Sequence, residues 1–214
     1  YIAQYLYEKF PNEIAFDRSR VNVTTIDIEV KSDDGFPFPE EARHEITAIT
    51  IKNNIDDTYY VWGTGEYDPD RCELDSDLNI VYKRCNDEAQ LLLNFLDHWD
   101  SERHSPDVVT GWNTRLFDIP YIVNRVNNVL GGDMVKKMSP WKMVNYRQVG
   151  IKGKSLDVYD LYGIQQMDYL DLFQKFGYSY GAQESYKLDH IAHVVLGERK
   201  LSYEEFTGLN DLYE

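Results

Sequence analysis

The chain has 214 residues, enough for one full hydrophobic core or two small ones. Its 37 acidic and 22 basic residues give a net charge of −15, which disfavours non-specific wrapping of duplex DNA but does not exclude a site that binds cations through clustered carboxylates. Because no apolar run has the length of a membrane span and two cysteines are too few for a disulfide framework, we expect a folded cytoplasmic protein without membrane contact.

The first part of the chain predicts strands. We interpret residues 1–20 as the tail of a preceding region. Alternating β-branched residues then predict a strand over Val21–Val30. Two further strands, His44–Lys52 and Thr58–Trp62, lie on either side of a turn rich in Asn and Asp, which favours an antiparallel hairpin. A fourth short strand is predicted over Ile80–Cys85.

Helices and strands alternate in the next part. A helix over Asp87–Arg103 is indicated by a candidate N-cap at Asn86 and by apolar residues at helical spacing. A fifth strand is predicted over Asp107–Trp112, and a helix over Phe117–Leu130 ends at two glycines.

The last part predicts a hairpin followed by two short helices. Residues 141–164 alternate around two glycines, and the helices are expected over Asp168–Phe176 and Lys187–Leu196. Strands followed by alternating strands and helices favour an α/β fold with a mixed β-sheet flanked by helices.

Two acids interrupt the first predicted strand. Asp27 and Glu29 are two residues apart, so their side chains share a face, with their α-carbons about 7 Å from each other. Both could therefore reach one cation, which would offset their mutual repulsion and their loss of hydration. The alternative is a solvent-exposed face, as on many antiparallel strands.

A second polar pair follows the fifth strand. Asn113 comes directly after that strand, and Asp118 stands at the start of the next helix. Asp118 could simply be an acid that favours a helix N-terminus, and Asn113 could be a turn residue. The ordered combination of D-x-E and G-W-N-x-x-x-x-D is much more specific than either segment alone.

These segments resemble family B DNA polymerases. TTIDIEV is similar to their first exonuclease motif, and TGWNTRLFDIPYIVNR is similar to their second. MDYLDLFQKF and SYKLDHIAHVVLG resemble the helical stretch that follows. The resemblance runs from about residue 21 to the end and is greatest to the replicative polymerases of tailed bacteriophages.

The resemblance implies an RNase H-like fold with an inserted β-hairpin, and a 3′→5′ proofreading exonuclease on the same polypeptide as a DNA polymerase. It also implies two divalent ions, Mg²⁺ or Mn²⁺. Asp27 and Glu29 would hold the first ion, and Asp27 and Asp118 the second. Two ions roughly 4 Å apart neutralise the entering and departing oxygens of an in-line displacement.

Three further residues are implied to contact DNA. Phe36 would stack on a frayed 3′ end, Asn113 would hydrogen-bond the terminal nucleotide, and Lys200 would lie near the scissile phosphate. Phe36 could equally be a loop aromatic that packs on the core, and Lys200 a solvated surface charge. The hairpin tip at residues 150–153 resembles the element that helps to part primer from template.

The third motif of the family, a Tyr followed four residues later by an Asp, does not occur in the sequence. We therefore expect residues 21–214 to be an exonuclease domain that stops before this motif. The implied partners are the single-stranded or frayed primer 3′ end, nucleotides bound by polymerase domains elsewhere, and a replication clamp. A phage-encoded protein would act in the host cytoplasm.

Two other functions stay open at this point. One is a catalytically silent RNase H-like module that binds single strands or acts as a scaffold. The other is a free-standing exonuclease that trims RNA. The three acids argue against the first, and the predicted hairpin argues weakly against the second.

Overall fold

The computed structural model of the chain describes residues 1–12, 15–31, 35–68, 77–151 and 153–199. Within these ranges the chain forms eight β-strands and six α-helices. In chain order they are α1 (Ile2–Lys9), β1 (Val23–Val30), β2 (Ile46–Asn53), β3 (Thr58–Gly63), β4 (Asn79–Arg84), α2 (Glu88–Trp99), β5 (Val108–Gly111), α3 (Asp118–Leu130), α4 (Gly132–Val135), β6 (Val144–Ile151), β7 (Lys154–Leu161), β8 (Gln165–Asp168), α5 (Tyr169–Phe176) and α6 (Leu188–Leu196).

Six strands form one mixed sheet in the order β4-β3-β2-β1-β5-β8. In its interior, β1 runs antiparallel to β2 and parallel to β5. β3 is antiparallel to β2, whereas the edge strands β4 and β8 are parallel to their neighbours. This arrangement confirms the predicted mixed sheet flanked by helices and the interior position of the first strand.

Alternation along β1 places its apolar residues on one face. Ile26 and Ile28 are buried, whereas Asp27 on the other face is exposed. Helices α2 and α3 cover the apolar face of the sheet, and each large side chain buried there contributes about 1.5–3 kcal/mol relative to exposure. Their buried apolar residues are Leu91, Leu92, Phe95, Leu96 and Trp99 of α2 and Ile119, Tyr121, Ile122, Val123 and Val126 of α3.

Strands β6 and β7 form a separate two-stranded sheet. They pair antiparallel from Val144 opposite Leu161 to Ile151 opposite Lys154, which confirms the predicted hairpin. Its base lies against α3, because Val158 and Leu161 of β7 are buried and β7 contacts that helix.

Two local features differ from the predictions, namely the N-cap of α2 and the strand β8. The N-cap of α2 is Asp87 rather than Asn86, and the Asp87 carboxylate accepts a hydrogen bond of 2.8 Å from the backbone N–H of Gln90. Residues 1–20, predicted as a tail, include the helix α1, none of whose residues is buried. The strand β8 was not predicted, because four mostly polar residues give no clear alternation. The domain boundary at residue 21 stays a prediction.

Candidate active site

The site begins at a gap between two parallel strands. β5 follows β1 only as far as Thr110, opposite Thr25, and then ends at Gly111. A β-carbon on Gly111 would lie 2.6 Å from the carbonyl oxygen of Ile26, and its φ of +155° is one that other residues rarely adopt. Glycine is therefore needed at position 111, where the chain passes close to β1 and turns away from it. Because β5 ends there, the C-terminal half of β1 has no β5 residues beside it.

The carboxyl group of Asp118 fills this gap. Asp118 is the first residue of α3 and only 3% exposed. Its Oδ1 accepts a hydrogen bond of 3.1 Å from the backbone N–H of Ile28. Because buried backbone donors need a partner, the side chain takes over a role that a neighbouring strand usually has. The acid is thus fixed against β1, one residue from Asp27.

Burial and repulsion disfavour the charged form of Asp118. Burial raises the pKa of its carboxyl group to about 8, and the charge of Asp27 adds to the effect. The hydrogen bond from the backbone N–H of Ile28 lowers this pKa, whereas the charge of Asp168 raises it slightly. A divalent cation beside Asp27 and Asp118 would relieve this cost, so the pair fits a hard ion that prefers carboxylate oxygens.

We predict that Asp118→Asn stabilises the chain when divalent ions are removed by a chelator. A carboxyl group whose pKa is raised by folding costs stability as the pH rises from about 4 to about 8. Asparagine has no such charge, so its advantage should grow over this range to a few kcal/mol. Urea denaturation at several pH values measures it.

The control for this experiment is Asp171→Asn, which changes a carboxylate whose side chain is 60% exposed. A stability difference between the Asp118→Asn variant and the parent protein that does not change with pH would show that the Asp118 carboxyl group ionises normally.

The two acids of β1 share a face, as predicted. Asp27 is exposed and lies opposite Thr50, whereas Glu29 is half-buried and lies opposite Ala48. Among the residues that the structure describes, no three His, Cys, Asp or Glu side chains are close enough to hold one ion. The structure thus brings Asp27 and Asp118 together, while ligation by all three acids stays a prediction.

Asn113 is the second residue of the loop between β5 and α3. Its φ of +65° lies in the left-handed region, which Asn tolerates, and its carbonyl oxygen accepts hydrogen bonds from the backbone N–H groups of Leu116 and Phe117. It is therefore a turn residue, which was one of its two interpretations. Its predicted contact with a terminal nucleotide stays a prediction.

Asp168 is a structural residue of the site that sequence reasoning missed. It is only 5% exposed and accepts hydrogen bonds from the backbone N–H groups of Asn113, Arg115 and Leu170 at 2.9–3.0 Å. One side chain thus caps α5 and also holds the loop that leads to Asp118. An aspartate at the start of a predicted helix indicates an N-cap, but it gives no sign of the second role.

Phe36 lies beside the start of α3. Its ring centroid is 5.5 Å from that of Phe117 and 5.7 Å from that of Phe38, yet Phe36 remains 65% exposed. It therefore packs against its neighbours and also presents an aromatic surface next to the residue that precedes Asp118. Lys200 lies outside the described residues.

The six-stranded mixed sheet flanked by helices agrees with an RNase H-like fold, and Asp27 and Asp118 lie together where its strands β1 and β5 part. Residues 4–191 match the family of the DNA polymerase family B exonuclease domain, and the chain belongs to this family.

The relatives include two phage enzymes named DNA-directed DNA polymerase. The one from Escherichia phage RB69 is 34% identical and the one from Enterobacteria phage T4 is 32% identical, each over 94% of this chain. The DNA polymerase catalytic subunit of Psittacid herpesvirus 1 is 32% identical over 64% of the chain. The chain spans about a quarter of the length of the phage enzymes, 24% in both cases.

Proposed function

We propose that this chain is the 3′→5′ proofreading exonuclease part of a family B DNA polymerase. It would hydrolyse the 3′-terminal phosphodiester of single-stranded or frayed DNA. The observation that carries the proposal is the buried carboxyl group of Asp118, fixed by the N–H of Ile28 beside Asp27. Membership of the exonuclease-domain family supports it.

Asp27, Glu29 and Asp118 would hold the two divalent ions, Mg²⁺ or Mn²⁺. When bound, these ions would neutralise the charge that develops on the entering and departing oxygens. The chain's own part is to keep the carboxylates in place: β1 fixes Asp27 and Glu29 on one face, and the Ile28 N–H holds the Asp118 oxygen. Arg115 and Asn113 belong to the loop whose backbone Asp168 holds.

The polarity of digestion tests this function directly. The full-length protein should shorten a 5′-labelled single strand one nucleotide at a time in the presence of Mg²⁺, and it should release the label of a 3′-labelled strand as a mononucleotide in the first step. Chelation of the metal should stop the reaction. Endonucleolytic products, or release of a labelled mononucleotide from the 5′ end first, would contradict the proposal.

Phe36 would support the unpaired 3′-terminal base by stacking. We predict that Phe36→Ala in the full-length protein weakens binding of single-stranded 3′ ends by about 1–3 kcal/mol, the usual value for one stacked base. The four terminal bases should be affected alike, because every base has an aromatic face. Fluorescence anisotropy with oligonucleotides that differ only in the last base measures both effects.

Phe16→Ala is the control for this experiment, because Phe16 is 81% exposed and lies outside the aromatic contacts of Phe36. A Phe36→Ala defect no larger than that of Phe16→Ala, or one that depends strongly on base identity, would mean that Phe36 only packs against Phe117 and Phe38.

A catalytically silent module that binds single strands is the alternative. The observation in its favour is that no three metal-ligating side chains are grouped together within the described part of the chain. Such a module would bind single-stranded DNA with equal affinity in the presence of Mg²⁺ and of a chelator, and the full-length protein would not trim it.

The partners of the whole protein follow from this proposal. They are the primer 3′ end, nucleotides at a polymerase site elsewhere in the polypeptide, and a replication clamp, with the host cytoplasm as the place of action. None of the helices in the described ranges combines the length and apolar character needed to cross a membrane.

A further inference from the structure

Residues 35–45, here called the aromatic loop, contain no helix or strand. The loop carries Phe36 and Phe38, and it is held by side chains on one face of α3, which begins at Asp118. These side chains are spaced three and four residues apart, as expected for one face of a helix. Their hydrogen bonds to loop carbonyl oxygens run from Tyr121 to His44, from Asn124 to Pro39, from Arg125 to Ala42 and Arg43, and from Asn128 to Glu41 and Ala42.

Asn124 also contacts the β6–β7 hairpin. Its Nδ2 donates a hydrogen bond of 2.8 Å to the carbonyl oxygen of Pro39, and its Oδ1 accepts one of 2.5 Å from the hydroxyl group of Tyr159. The two bonds join atoms of one planar amide group. The position of Tyr159 therefore constrains the position of Pro39.

The two residues that Asn124 joins, Tyr159 in the hairpin and Pro39 in the aromatic loop, are each held in place. The carbonyl oxygen of Tyr159 accepts a hydrogen bond of 2.6 Å from Nε2 of Gln166 in β8, so the hairpin strand is tied to the main sheet. At the other end, Pro37 and Pro39 each restrict φ close to Phe36, which makes the backbone between Phe36 and Pro39 stiff.

We propose that Asn124 is a positioning residue that couples the hairpin to the aromatic loop, and that the coupling holds Phe36 where it receives the 3′-terminal base. This inference rests on the proposed exonuclease function. It goes further by making capture of the DNA end depend on the hydroxyl group of Tyr159. Asp118 is held separately by the Ile28 N–H, so loss of the coupling should weaken capture of the end without slowing hydrolysis.

The test uses Tyr159→Phe in the full-length protein, which removes a single hydroxyl group. The matched control is Tyr146→Phe, since the Tyr146 hydroxyl donates a hydrogen bond of 2.9 Å to Asp157, which belongs to the same hairpin. We expect Tyr159→Phe to raise KM for single-stranded 3′ ends about five-fold, the equivalent of one hydrogen bond, with kcat changed less than two-fold. Tyr146→Phe should leave both constants unchanged.

A double variant separates positioning from a general structural role. If Tyr159 acts through Phe36, adding Tyr159→Phe to Phe36→Ala should raise KM no further than Phe36→Ala alone. Additive effects, or an unchanged KM in Tyr159→Phe, would overturn the coupling.

Fluorescence of a 3′-terminal 2-aminopurine, measured on bound single strands under a chelator, reports stacking without hydrolysis. Lower quenching in Tyr159→Phe than in the parent protein supports the coupling, and equal quenching overturns it. Failure of the parent protein to trim DNA would refute the proposed function alone.

Discussion

Replacing Asp118 by alanine in the full-length protein should reduce trimming of a primer 3′ end by at least about 10²–10³-fold, the usual cost of removing one preorganised electrostatic group from an active site. Nucleotide addition should stay near the parent rate, because we expect a polymerase site to use separate residues. Trimming of a labelled mismatched primer and extension of a matched one measure the two activities.

Asp133→Ala is the control, because the Asp133 side chain is 95% exposed and pairs with Lys136 on the surface. It should leave both activities unchanged. If Asp118→Ala lost both activities together, the cause would be a folding defect. If it kept normal trimming, Asp118 would have no part in the reaction.

Glu88→Ala should lower the free energy of unfolding by about 3–5 kcal/mol, the usual cost of removing one partner of a buried ion pair. Glu88 is 7% exposed, and its carboxylate accepts hydrogen bonds of 2.7 and 2.6 Å from the guanidinium group of Arg125. It also accepts one of 2.7 Å from the backbone N–H of Ile46. The variant would leave the guanidinium charge of Arg125 without its carboxylate partner and the buried backbone N–H of Ile46 without an acceptor.

Urea denaturation of Glu88→Ala and of Glu41→Ala measures this effect. Glu41 pairs with Arg43 at an exposed position, where an ion pair contributes about 0–1 kcal/mol. Equal losses in the two variants would show that the pair between Glu88 and Arg125 does not join α2 to α3 as the structure indicates. Loss of the Glu88–Arg125 ion pair should also displace the aromatic loop, because Arg125 donates hydrogen bonds to the carbonyl oxygens of Ala42 and Arg43.

Local patterns predicted much of this fold. Period-two alternation found β1, apolar residues at helical spacing found α2, and two glycines marked the end of α3. The acids Asp27 and Glu29 were visible because charge is unusual between Ile26, Ile28 and Val30. These are features of neighbouring residues, which a sequence displays directly.

Features that depend on distant residues were not predictable in this way. The burial of Asp118 follows from the early end of β5 and from a backbone donor 90 positions earlier in the chain. The double role of Asp168 depends on a loop more than 50 residues away. The contacts of α3 with the aromatic loop likewise join residues about 80 positions apart, so no short motif contains them.

Crystals of the chain soaked in Mn²⁺ provide the most direct test of the central claim, that Asp27 and Asp118 form a cation site in the gap between β1 and β5. Anomalous diffraction should show a peak within about 2.5 Å of carboxylate oxygens of both residues, as expected for a hard divalent ion, and the peak should be absent from Asp118→Ala crystals. A map without a peak at this pair, or one whose peaks all persist in Asp118→Ala, would contradict the assignment of the active site.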